Sequence, residues 1–305
     1  MRVYTHPACL AHDPGPGHAE RPARLQAVTT ALREALPDLE WAQAPLATRE
    51  QLSRVHAPAL LTQVLDSGIG ASLRLDPDTV MSPDSPQAAL RAAGAAVAAV
   101  DAVLGGDADM VFCAVRPPGH HATHDTAMGF CLFNSIAVAA AHALAAHGLE
   151  RVAILDFDVH HGNGSQDIFQ HEPRVLYLSS HQSPLYPGTG DASETGVGNI
   201  VNEPLAPMSD GTALRAAWRE HLLPAAAAFA PQLVLVSAGF DAHRLDPLAQ
   251  VRAETEDFRW LGREIAALAR GCAGGRVVSL LEGGYSLEAL RECSVAWLSG
   301  LLEAA

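Results

Sequence analysis

The stretch LDFDVHHGNG, residues 155–164, runs an apolar segment straight into two aspartates and two histidines and then stops on glycines. Upstream, Val152, Ala153, Ile154 and Leu155 read as a short buried strand. Successive side chains along a strand face opposite ways. Asp156, Asp158 and His160 are therefore expected on one face, and Phe157 and Val159 on the other. Three ionisable groups beside an apolar run are costly to bury unless they pair or hold a metal. A solvated loop after the strand is the plainer reading, and the rest of the chain decides between the two.

Three further apolar runs repeat the design: 110–115 leads into RPPGHH, 233–236 into SAGFD and 277–281 into EGGY. Between them, 85–104, 134–147, 212–229, 254–270 and 287–302 read as helices, the first Ala-rich with Pro86 near its start. Strand alternating with helix predicts one α/β domain over residues 1–305, a mostly parallel sheet sandwiched by helices. Ligands of such sheets bind beyond the carboxyl ends of the strands, where all four polar clusters fall. That convergence displaces the solvated loop. The Pro- and Gly-rich segment 183–199 is long for a connector and is expected to form a rim loop.

Composition removes whole classes of function. The formal charge of −14 argues against nucleic acid, whose phosphates demand basic patches, and is compatible with cationic substrates. All twenty basic residues are arginine, so a P-loop lysine, a Schiff-base lysine and a pyridoxal-phosphate anchor are excluded. Cys9, Cys113, Cys131, Cys272 and Cys293 form no C-x-x-C pair and are expected to be free thiols in a reducing compartment. Residues 1–15 lack the apolar core of a signal peptide, and Asn134, His142 and His147 interrupt the uncharged stretch 131–149. No membrane span and a cytoplasmic location are expected.

A hydrolytic zinc site needs about three protein ligands and one open position. Asp158 and His160 can supply two, and Asp241, following the third run, is the natural third. Tandem His120 and His121 offer imidazoles for proton transfer, and Tyr285, between two glycines and a helix, offers a phenol donor. The nucleophile pattern G-x-S-x-G is absent: its nearest approach, GYSLE at 284–288, lacks the second glycine.

The chain resembles the histone deacetylase family, most closely its class II and bacterial deacetylase-like members within the acetylpolyamine amidohydrolase superfamily. The resemblance covers nearly the whole chain. It is carried by HAERPAR (18–24), RPPGHHA (116–122), GFCLFN (129–134), DFDVHHGNGSQ (156–166), YPGTGD (186–191), SAGFDAH (237–243) and LEGGY (281–285). It implies a deacetylase holding one zinc on Asp158, His160 and Asp241, with His120 and His121 as the catalytic pair. Asp156 would orient the first of these and Asn163 the second, while Tyr285 polarises the substrate carbonyl. It further implies tunnel walls at Gly129, Phe130 and Tyr186, and Arg24 near an internal cavity that handles released acetate. A structural potassium is implied on Asp156, Ser179 and backbone oxygens of Asp158, His160 and Ser180, with a second monovalent cation near Phe169 and Val175.

Three positions bear on specificity. Asn163 stands where class I members carry an aspartate, and a neutral amide orients His121 without raising its pKa as a carboxylate would. Tyr186 stands where many members have phenylalanine. Leu248 stands where polyamine-preferring members carry a gatekeeper glutamate, so acylated lysine or a similar aliphatic amide is expected over an acetylpolyamine. An acetylpolyamine amidohydrolase is the alternative. A non-catalytic acyl-lysine binder would have lost a ligand or the tyrosine, and an arginase-like enzyme with two metals would need the Asp-x-His-x-Asp run that is absent here. Assembly with identical chains is left open. His6, His12, His124, His171 and His243 are expected to be surface or structural residues.

Overall fold

In the computed structural model, which describes residues 1–304, the four apolar runs become four neighbouring strands at the centre of one sheet. In chain order the strands are β1 (Arg2–Thr5), β2 (Glu40–Gln43), β3 (Leu73–Arg74), β4 (Val80–Met81), β5 (Met110–Cys113), β6 (Val152–Asp156), β7 (Val175–Gln182), β8 (Ile200–Leu205), β9 (Leu233–Ala238) and β10 (Val277–Leu281). The main sheet runs β2-β1-β5-β10-β9-β6-β7-β8 and is parallel throughout, while β3 and β4 form a separate antiparallel pair. Every residue of β5, β6, β9 and β10 is buried, as a parallel sheet covered on both faces requires. Their carboxyl ends lie side by side, which gathers the four polar clusters into one place.

Helices Ser85–Gly105 and Ser135–His147 pack on each other and on the central strands. A second helical layer is built from Pro22–Ala35, Thr255–Cys272 and Leu287–Glu303, with Trp297 Nε1 donating to Ser279 Oγ of β10 at 3.3 Å. The helix Ser85–Gly105 is long and apolar enough to cross a membrane by composition, yet 67% of its apolar window is buried inside the protein. Alanines carry that burial: their small side chains bring helix and sheet close together. The segment expected as one helix over 212–229 divides into Gly211–Ala217, a π turn over Trp218–Leu222, and Leu223–Phe229. Pro224 has no N–H to continue the ladder, and the hydrogen bonds slip by one residue just before it, Leu223 N reaching Trp218 O.

The alternating-face reading of 156–160 needs correction. β6 ends at Asp156, and Asp158 and His160 stand in the loop beyond it. The cause is local: Asp156 Oδ1 accepts from Asp158 N at 3.1 Å, and Asp158 Oδ1 accepts from His160 N at 2.9 Å. Each aspartate captures the amide two residues on and turns the backbone out of the ladder. β7 and β8 escaped the periodicity reading for different reasons. All eight residues of β7 are buried, but its sequence ends in Ser-Ser-His-Gln; β8 holds Pro204, which an edge strand tolerates.

Candidate active site

Asp158 and His160 follow β6 and Asp241 follows β9, and all three are buried. His160 Nδ1 lies 3.2 Å from Asp158 Oδ1 and 3.1 Å from Asp241 Oδ2. Ligand atoms around a tetrahedral ion with bonds of 2.0–2.1 Å would stand about 3.3 Å apart, so these residues fit one such ion. The other carboxylate oxygens are fixed by the backbone. Gly283 N donates to Asp158 Oδ2 at 2.7 Å, and Val159 N donates to Asp241 Oδ1 at 2.8 Å. A Cβ at Gly283 would come within 2.0 Å of Asp241 Oδ2, so this approach is open only to glycine. Burial and the adjacent Asp158 charge push the Asp241 carboxyl up, a cost that a dication would remove.

The two imidazoles after β5 are driven apart. His120 Nδ1 lies 3.0 Å from Asp156 Oδ2, which also accepts from the Tyr177 hydroxyl at 3.0 Å. Burial alone would depress His120, but the Asp158 and Asp156 carboxylates outweigh it and raise its pKa to about 10. His121 Nδ1 lies 2.8 Å from the Asn163 carbonyl oxygen. Burial, with the neighbouring His120 and His160, holds His121 well below the usual imidazole value. Side by side, the carboxylates push one ring toward the cation while burial pushes the other toward the neutral form, the divergence expected of an acid/base pair.

A cavity of about 220 Å³ opens on this cluster, lined by Asp78, His121, Gly129, Phe130, His160, Leu185, Tyr186, Leu248 and Tyr285. Gly129 sits at φ +56°, and a Cβ there would press within 2.5 Å of the His121 ring. Phe130 and Tyr285 meet edge to face at 5.8 Å, as do His121 and Tyr186 at 5.2 Å. The segment 183–199 supplies Leu185 and Tyr186 to the cavity, so it forms part of the rim. Arg24, implied beside a separate internal cavity, lies behind this one. Fully buried behind Tyr285, its guanidinium carbon is 4.9 Å from the ring centroid, and it donates to the carbonyls of Gly284 and Glu282 and to Glu20. It does not line the cavity.

Of the residues implied for a structural potassium, Asp156 and Ser179 stand opposite each other in the β6–β7 register. His181 Nε2 is 2.9 Å from Gly190 O, which can only accept, so Nε2 carries the hydrogen and Nδ1 accepts from the Ser179 hydroxyl at 2.9 Å. That leaves the Ser179 oxygen lone pairs for a cation. Among the described residues no backbone N–H bonds to the carbonyls of Asp158 or His160. The carbonyls of Phe169 and Val175, by contrast, both accept from Asn199 Nδ2.

Sequence reasoning missed Asp78, Leu185, Asp246, Glu282 and Tyr177. Asp246 Oδ2 accepts from Tyr285 N at 2.7 Å, and Glu282 Oε2 accepts from Gly119 N at 2.7 Å and His120 N at 3.2 Å. Glu282 left a signal, a charge at the mouth of an apolar strand, and Leu185 lay in the expected rim loop; Asp78 left none. His6, His12, His124 and His243 each bond within the scaffold, and His171 is exposed. A second cluster, Asp101 with His142 and His147, has metal-like spacing, both Nε2 atoms lying 2.7 Å from Asp101 Oδ1. Arg54 donates to His142 Nδ1 at 2.8 Å, which leaves the hydrogen on Nε2 and no lone pair there for a metal.

Residues 18–301 match the model of the histone deacetylase domain. The chain is 40% identical to histone deacetylase 14, chloroplastic, of Arabidopsis thaliana, over 94% of this chain and 73% of that protein. It is 41% identical to polyamine deacetylase HDAC10 of Homo sapiens, over 90% of this chain and 43% of that one. Among solved structures it superposes on the HDA15 HD domain with a TM-score of 0.94 at 35% identity, covering 99% of this chain and 88% of that one.

Proposed function

Because this chain belongs to the histone deacetylase family and is a hydrolytic deacetylase, we propose that it removes acetyl or other short acyl groups from lysine side chains or similar aliphatic amides, using one zinc ion on Asp158, His160 and Asp241. The observation that carries this reading is the meeting of the three-ligand cluster, the neutral His121 and the Tyr285 phenol on one narrow cavity. A zinc ion held there supplies Lewis acidity to the amide carbonyl and to water. That donor set, one nitrogen and two carboxylates, also suits iron or cobalt.

The chain's own groups divide the remaining work. Phe130 and Tyr186 flank a slot that fits an extended aliphatic stem, and Leu248 stands partly exposed at its mouth. His121 donates through Nδ1 to Asn163, so its Nε2 lone pair is free to take the proton of the attacking water. The histidine pair returns a proton to the leaving amine. Asp156 keeps His120 oriented and charged. The Tyr285 hydroxyl donates to the carbonyl oxygen as negative charge builds on it. A potassium ion on Asp156, Ser179 and the carbonyls of Asp158, His160 and Ser180 would brace the metal loop from below. All five cysteines are free, which fits a reducing, cytoplasmic setting.

Hydrolysis of a panel of acetyl-lysine peptides, longer acyl-lysines and acetylpolyamines tests the assignment; no turnover on any of them, with metal bound, would sink it. Tyr285→Phe should cost about two to three orders of magnitude, mostly in kcat, because the donor acts on the developing oxyanion. Metal content and melting temperature should be unchanged, and near-parent activity would remove the phenol from the mechanism.

An acetylpolyamine is the second reading. It rests on the Asp78 carboxylate in the cavity wall, and the human relative is named for that substrate. Leu248→Glu adds a carboxylate at the mouth and should raise acetylspermidine turnover relative to an acetyl-lysine peptide by about two- to fivefold, the scale of an exposed ion pair. A flat ratio would show that position 248 does not face the distal amine.

A further inference from the structure

Three backbone carbonyls of the segment between Phe169 and β7 converge on a single nitrogen. Asn199 Nδ2 lies 2.8 Å from Phe169 O, 2.8 Å from Val175 O and 3.1 Å from Glu172 O. Asn199 is buried, and its Oδ1 is bound in turn, accepting from Val197 N at 3.1 Å. Its own carbonyl accepts from Tyr177 N at 2.9 Å, so the residue is also stitched into β7. A primary amide carries two hydrogens, whereas three carbonyl dipoles point at it. More acceptors than protons around one centre is the arrangement that suits a spherical cation, with the amide nitrogen now standing at its middle. The residues implied for a second monovalent ion, Phe169 and Val175, therefore do not fit one here, because the point between them is filled.

We infer that Asn199 replaces a second monovalent cation. Its amide nitrogen stands where a cation between the carbonyls of Phe169, Glu172 and Val175 would sit, and it adds a second donor to Phe169 O and Glu172 O, which already accept from Glu172 N at 2.9 Å and Val175 N at 3.0 Å. The cation response of this chain is then confined to the site at Asp156 and Ser179. The clasp at Asn199 holds whatever the ionic composition, since it is part of the chain. It joins the segment 169–175 to the end of the rim loop that carries Leu185 and Tyr186.

Thallium(I), which substitutes for potassium and scatters anomalously, reads the question directly in crystals of the metal-loaded protein. The parent should show no thallium within reach of the Phe169 and Val175 carbonyls; a peak there overturns the inference. Asn199→Ala and Asn199→Asp should each admit one. In the second variant the new carboxylate repels the carbonyls unless a cation intervenes. Melting temperatures compared in potassium chloride and N-methylglucamine chloride at equal ionic strength give a readout independent of activity and of crystals. Each variant should fall by about 3–10 °C in N-methylglucamine and recover most of that loss in potassium, beyond any difference the parent shows. Equal losses in both salts, with no ion bound, would make Asn199 an ordinary loop bracket and overturn the substitution.

Discussion

Asp241→Asn should leave a folded protein that retains no stoichiometric divalent ion and hydrolyses acetyl-lysine at the background rate. The change keeps the side chain's shape and the oxygen that accepts from Val159 N. It removes one of the two carboxylate charges that the site directs at a cation, next to His160 Nδ1 at 3.1 Å. Loss of an outer partner alone typically weakens metal binding about 10–100-fold, so loss of a charged ligand should exceed that range. The Lewis acid contributes several kcal/mol to the barrier, which is roughly three or more orders of magnitude in rate. Elemental analysis and thermal melts with and without chelator check it together. A ligand at about 100 times its Kd stabilises by about 2.7 kcal/mol, so chelation should lower the parent's melting temperature by several degrees and the variant's hardly at all. The metal-free variant should melt above the metal-free parent, because the Asp158–Asp241 repulsion is gone. A variant with one tightly held ion and parental turnover would displace Asp241 from the ligand set.

His121→Ala should cost about two to four orders of magnitude in turnover while metal content stays at the parent's level. Its ring lines the cavity, accepts no hydrogen bond from the metal loop and is anchored only through Nδ1 to Asn163. Burial and the neighbouring His120 and His160 push it toward the neutral form, so its Nε2 is available to take a proton. The space left next to Gly129 admits a small base, and added imidazole should restore part of the rate. Parental activity in the variant would shift the proton transfer to His120.

Most of this site was legible because its residues travel in short motifs at strand ends. Asp158, His160 and Asp241 could be named as a ligand set, and His120 and His121 as a pair, from residue type and place in a βα pattern alone. The backbone route to them was not. Aspartates that bond to amides two residues ahead end a strand without any proline or glycine, so a period-two reading ran four residues too far. Asp78, Leu185 and Asp246 stand singly in loops, and their meeting with Tyr285 and the cavity depends on long-range packing that no local pattern encodes. Arg24 belonged to a recognisable motif, yet its place behind Tyr285, with all its guanidinium nitrogens occupied, is a property of the folded chain. Asn199 shows the reverse case. Its residue type was visible, but only the convergence of three carbonyls gives it meaning.

The order of strands sets a timetable for synthesis. β5 and β6 emerge from the ribosome early, but they are not partners: β10 and β9, translated last, lie between them. Until residues 233–281 are made, the nascent chain carries two strands, buried along their whole length in the finished fold, whose inner edges have nothing to pair with. Such edges are templates for wrong pairing, and the correct closure spans more than a hundred residues of chain. The centre of this sheet is therefore completed last, and the chain is most exposed to aggregation just before residues 233–281 are released. Nascent chains halted near residue 230 should be the ones that chaperones hold longest.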